Sequence, residues 1–192
     1  SAQSRIFEYN GTDWIQFGNA IELGSSESVT LSMNAVGNWL AIGSPKYNVP
    51  WPGSITDAGK VQFFNYSIGT ESWNETGDLI IGTNTYEELG TSISIDSLGT
   101  RFAIGSLADG GSVQVYTYDS GNWSQVGSTI NGSGNFGYIG LGRNVMISSS
   151  GNRIVASDYY RNNFTGYVEA FEFNGIDWDV LGQRIQGQGS YG

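Results

Sequence analysis

The sequence predicts an all-β chain built from repeated antiparallel units, and three observations carry that prediction. Apolar residues alternate with period two through most of the 192 residues, 29 glycines would be costly in helices, and one block of text recurs at an interval of about fifty-five.

The repeat is anchored by aromatic residues. Phe7, Phe64, Tyr116 and Phe171 lie 57, 52 and 55 residues apart. Each is followed two residues later by Tyr9, Tyr66, Tyr118 or Phe173, and then by Trp14, Trp73, Trp123 or Trp178. Gly37, Gly99 and Gly151 each stand six residues before Gly43, Gly105 and Ser157.

Taken in order, each unit reads as two hairpins. "LSMNAVGNWLAIG" (31–43), "ISIDSLGTRFAIG" (93–105) and "VMISSSGNRIVAS" (145–157) are strand, turn, strand. Asn34, Asp96 or Ser148 is placed to bond the turn backbone, and Gly37, Gly99 or Gly151 to take positive φ. "VQVYTYDSGNWSQVGSTI" (113–130) and "VEAFEFNGIDWDVLGQRI" (168–185) are second hairpins with "DSGN" and "NGID" as turns. Four strands repeated at this interval predict β-propeller blades, because a lone four-stranded sheet must cover both faces by stacking. The expected arrangement is a half blade at 1–24, blades at 25–81 and 82–130, and a blade with a linker at 131–192, about three and a half blades in all. The terminal hairpins are expected to need further polypeptide, from a longer chain or another copy, against their open edges.

Composition removes several functions. Eighteen acidic against eight scattered basic residues give a formal charge of −10, which repels a phosphate backbone, so no nucleic-acid partner is expected. No apolar run reaches the ~18 residues of a membrane-spanning helix. Without Cys or His there is no disulfide, thiolate nucleophile, Ser-His-Asp triad or His-ligated zinc.

"LGTSISIDSLGTRFAIGSLADGGSVQVYTY" (89–118) resembles the FG-GAP repeat of integrin α-chain propellers, and more closely the FG-GAP-like repeats of secreted algal and marine microbial proteins. Leu89 and Gly90 stand for the FG pair, and Gly43, Ser44 and Pro45 for Gly-Ala-Pro. Gly105, Ser106 and Leu107 match less well, and Ser157, Asp158 and Tyr159 depart further. The resemblance implies a propeller fold and, in integrins, calcium held by a D-x-D-x-D-G loop. Here that pattern is missing: "SMNAVGN", "SIDSLGT" and "SSSGN" offer one carboxylate, Asp96, so turns rather than metal sites are expected and no cofactor is assigned.

The remaining candidates lie on the surface. Glu87 with Glu88 and Asp177 with Asp179 are the tight acidic pairs, expected to be solvated, which leaves no catalytic residue and predicts that the chain is not an enzyme. Six sequons, at Asn10, Asn65, Asn74, Asn122, Asn131 and Asn163, favour an extracellular glycoprotein, with most of them in expected turns. Two irregular loops break the repeat: "KYNVPWPGSITDA" (46–58), with Tyr47 and Trp51, and "DYYRNNF" (158–164), with Tyr159, Tyr160 and Arg161. Both are candidate contact loops. The predicted function is a non-catalytic extracellular propeller for adhesion, surface architecture or assembly, with protein partners or further copies of itself. A carbohydrate-binding or carbohydrate-active propeller, lectin or glycosidase, is the second reading.

Overall fold

A computed structural model describes residues 2–24, 28–132, 140–158 and 165–188. The chain is all-β, with several antiparallel sheets, none of which closes on itself. It begins with two short pairs: β1 (Ala2–Ser4) with β4 (Ile21–Gly24), and β2 (Phe7–Tyr9) with β3 (Trp14–Gln16). Three complete sheets follow. The first holds β5 (Thr30–Met33), β6 (Trp39–Ser44), β7 (Lys60–Ser67), β8 (Ser72–Glu75) and β9 (Ile80–Ile81). The second holds β10 (Ser92–Ile95), β11 (Arg101–Ser106), β12 (Ser112–Asp119), β13 (Asn122–Gln125) and β14 (Ile130–Asn131). The third holds β15 (Asn144–Ile147), β16 (Arg153–Asp158), β17 (Tyr167–Phe173), β18 (Trp178–Val180) and β19 (Ile185–Gln186). The single helical feature among the described residues is a 3-10 turn at Ala108–Gly110, and no helix there is long and apolar enough to cross a membrane.

Each sheet has one strand more than the four expected from the sequence. The long third strand pairs along its far edge first with the fourth strand and then with a two-residue fifth, as Lys60 and Val61 do with Ile81 and Ile80. Such short strands carry too few residues for period two to be visible.

The expected turns form by the expected bonds. Asn34 Oδ1 accepts from the backbone N–H groups of Asn38 and Trp39 at 3.0 and 2.9 Å. Asp96 Oδ1 accepts from Thr100 N–H at 2.9 Å, and Ser148 Oγ from Arg153 N–H at 3.1 Å. Gly37, Gly99 and Gly151 take φ of 76, 77 and 73°, a region that penalises a Cβ.

Strand alternation decides how the sheets stack. In β10, Ile93 and Ile95 pack toward the first sheet with Phe102 and Ile104, meeting Ala41, Val61 and Phe63. Ser92 and Ser94 face the third sheet, where Ser92 Oγ donates to Gly142 O at 2.6 Å and Ser94 Oγ accepts from Ile147 N–H at 3.0 Å. The same two bonds join the first sheet to the second: Thr30 Oγ1 to Gly90 O at 2.6 Å, and Ile95 N–H to Ser32 Oγ at 3.1 Å. Hydroxyls at alternate positions thus satisfy backbone groups of the next sheet, which would otherwise be buried unpaired at a cost of about 1–3 kcal/mol each.

The recurrent Trp does a second inter-sheet job. Trp73, Trp123 and Trp178 donate their indole N–H to the carbonyls of Phe17, Thr76 and Val126 in the preceding sheet, at 3.0, 3.3 and 2.8 Å. Each ring lies against Gly18, Gly77 or Gly127 of the preceding sheet, where an added Cβ would come within 2.8, 2.4 and 2.9 Å of Trp73, Trp123 and Trp178. Trp14, the corresponding residue in 2–24, is 69% exposed.

Candidate functional site

The 46–58 loop is held at its base and bare at its tip. Val49 and Ile55 form an antiparallel bridge, Asn48 Oδ1 accepts from Asp57 N–H at 2.7 Å, and Gly59 N–H donates to Tyr47 O at 3.1 Å. Beyond the bridge Trp51 is 85% exposed. Tyr47 does not join it: its half-buried ring lies beneath the Lys60 ammonium, 4.5 Å from the ring centre. Tyr159, Tyr160 and Arg161 of the second irregular loop lie outside the described residues.

The base of this loop holds a charge cluster that sequence reasoning missed. Lys46 Nζ binds Asp57 Oδ2 at 3.1 Å and also Glu88 Oε1. Burial opposes the Lys46 charge, but hydrogen bonds and attraction from Glu88 and Asp57 outweigh it and hold the ammonium above the usual lysine range. The cluster edges an open groove of about 470 Å³ whose wall includes Thr30, Thr91, Leu107 and Asn144, residues from three successive sheets. The available signal was that Lys46 follows Gly43-Ser44-Pro45, where the second unit has Ala108 after Gly105-Ser106-Leu107.

Glu87 and Glu88 correct the expectation of solvated acids, being 7% and 9% exposed. Glu88 is the Lys46 partner. Glu87 Oε2 accepts from the backbone N–H groups of Thr83 and Asn84 at 2.7 and 2.9 Å and so closes the turn before β10. Burial pushes the Tyr116 phenol up, and the Glu87 charge adds to the effect. In the other pair, Asp177 is tied to the previous sheet. Its carboxyl is held below the usual range by the backbone N–H of Ser128, then by that of Trp178 and by the Ser128 hydroxyl. Asp179 accepts from Asn174 Nδ2 at 2.9 Å.

The sequons sort by what their amides do. Asn10 is exposed in a turn, its Oδ1 accepting from Thr12 N–H, Thr12 Oγ1 and Asp13 N–H. Asn65 is half-buried in β7, and its Nδ2 donates to Asn38 O at 3.0 Å, so the nitrogen a glycan would need joins two hairpins instead. Asn74, Asn122 and Asn131 are exposed but sit in β8, β13 and β14 rather than in turns. Asn163 lies outside the described residues.

Asp96 is occupied by its own turn, with Oδ1 on Thr100 N–H and Oδ2 on Thr100 Oγ1 at 3.1 Å. Among the described residues no three acidic side chains gather as a metal site. Millimolar calcium is therefore expected to leave the melting temperature unchanged. Asp96→Ala should lower it by about 2–4 °C, the shift for about 1 kcal/mol of lost turn bonds in a chain of this size. A calcium-dependent rise in melting temperature would overturn the assignment.

No family model and no curated protein matches the chain. Among solved structures it is similar to a protein described as a "putative 6-phosphogluconolactonase from Bacteroides uniformis ATCC 8492", with a TM-score of 0.63 and 11% identity. The match covers 98% of this chain and 52% of that one, so the chain spans about half the length of the protein it resembles. This corrects the expectation that the chain is not an enzyme: a protein named for an enzymatic activity shares the fold, so the fold does not set catalysis aside.

Proposed function

We propose that the sheets are blades of a β-propeller array acting outside the cell in adhesion, surface architecture or assembly, with Trp51 as its contact residue. The observation that carries the reading is the 85% exposed indole of Trp51 at the tip of a loop pinned by the Val49–Ile55 bridge and the Lys46–Asp57 pair. A large ring presented on an ordered loop loses little conformational freedom on binding, the property of an interface anchor. Stacked five-stranded sheets whose first strands pass hydrogen bonds to the next sheet support the propeller arrangement, and so does the fold likeness.

The test is binding of the labelled chain to intact cells of its own source. The wild type should bind a surface structure, and Trp51→Ala should lose most of that binding with no change in melting temperature. Equal binding by both, or none by either, would end the reading. The same bare ring favours a second reading, in which Trp51 stacks on a sugar. A glycan array probed with the same pair of chains distinguishes the two.

A further inference from the structure

We propose that the groove in front of Leu31 and Met33 is a docking site for an antiparallel β-hairpin, of the pattern of residues 91–107, supplied by another polypeptide. The inference rests on the observed sheets and holds whether or not they close a ring.

Two surfaces meet in this groove, and each is half of a contact the molecule makes elsewhere. One surface is a strand edge. β7, β12 and β17 each pair on one side with a fourth and a fifth strand and on the other side with a second strand. β1 and β2 together correspond to such a third strand, with β4 and β3 as its fifth and fourth partners. No described strand pairs with their other side. The other surface is a sheet face. Leu31 and Met33 are 55% and 40% exposed, while their counterparts Ile93, Ile95, Val145 and Ile147 are all below 10%. An open groove of about 300 Å³ separates the two surfaces, lined by Ser4, Arg5, Ile6, Leu31, Met33 and Leu40.

The geometry selects a hairpin over a whole sheet. Residues 2–24 already cover the outer half of the first sheet: Phe17 stacks on Tyr66 with ring centres 4.0 Å apart, and Ile21 and Leu23 are buried against Leu40 and Phe64. A second copy of this chain therefore cannot lay a complete sheet on Leu31 and Met33. Room is left for two strands, one adding to the β1–β2 edge and one standing before β5.

The internal contacts specify what those strands carry. In the second sheet the face turned to its successor presents Ser92 and Ser94 on the first strand and Ala103 on the second. By the same register, the occupant's two hydroxyls fall opposite Ser28 O and Met33 N–H, the positions equivalent to Gly142 O and Ile147 N–H. Its small central residue falls over the Leu31 and Met33 side chains.

The probe is a fluorescein-labelled peptide of residues 91–107, titrated with the intact chain. Because a free hairpin is marginally stable and folds at a cost on binding, a second measurement joins a copy of residues 91–110 directly ahead of Ala2 and reads the melting temperature. Expected are saturable anisotropy at micromolar chain and a higher melting temperature for the extended chain. Both should be abolished by Leu31→Asp with Met33→Asp, which changes only exposed side chains of the parent. Ala103→Asp in the peptide should weaken binding about tenfold or more. Absence of both signals, or signals that survive the double substitution, overturns the proposal. So does a concentration-dependent dimer that loses its contact in the double variant and is not displaced by the peptide, which would make a second copy the occupant.

Discussion

Gly105→Ala is expected to lower the melting temperature by about 6–12 °C, the shift for about 3 kcal/mol in a chain of this length. A Cβ at this position would lie 1.8 Å from Gly142 O and 2.5 Å from Ser92 Oγ. The first of these is backbone held in the next sheet by the Ser92 bond, so relief requires the second and third sheets to move apart. Gly53 has nothing within 4 Å of its added Cβ and no positive φ, so Gly53→Ala should change stability by no more than about 0.5 kcal/mol. Thermal melts followed by near-ultraviolet dichroism check both. Equal melting temperatures for the two variants would show that the sheets are not packed this closely.

Phe102→Ala is expected to cost about 3–5 kcal/mol. Its ring is fully buried between the first and second sheets, with centres 4.1 Å from Phe63, 4.5 Å from Trp123 and 5.9 Å from Tyr116. Removal leaves a void that three other rings cannot fill by a rotamer change, because Trp123 is also tied through its N–H to Thr76 O. Urea unfolding should show a lower midpoint with an unchanged slope, the mark of lost packing rather than an altered unfolded state. Met146→Ala, at a 69% exposed position, serves as the control and should move the midpoint little. A Phe102→Ala midpoint equal to the control's would remove the inter-sheet aromatic cluster from the account of stability.

Much of the candidate site was invisible in one dimension. The 46–58 loop was legible because it broke a repeat, and Trp51 is exposed as a Pro-flanked loop aromatic is expected to be. The same reasoning placed Tyr47 beside it, yet Tyr47 lies under Lys60, a contact between residues at the two ends of the loop. Glu87 and Glu88 read as surface acids because acidic pairs usually are. Burial became tolerable only when backbone amides at Thr83 and Asn84 and the Lys46 ammonium came to meet them. Trp14 belongs to the same periodic set as Trp73 and Trp178, yet it is 69% exposed where they are buried.

What the sequence by itself determined is local: strand pairs from period two, their turns from Asn34, Asp96 and Ser148 with the glycines that follow, and the repeat from its aromatics. These depend on the chain's own covalent neighbours and on which side of a pleat each side chain emerges. The tertiary structure alone decided what each face meets. Gly43 and Gly105 are required because the backbone of the following sheet, at Gly90 and Gly142, comes within 2.4 and 1.8 Å of where a Cβ would stand. At the equivalent place the third unit carries Ser157, and no further sheet follows it among the described residues. Alternation sets which residues leave a strand on the same side. Whether that side is core, groove or open surface depends on backbone brought in from some fifty residues away, and no window of local sequence contains it.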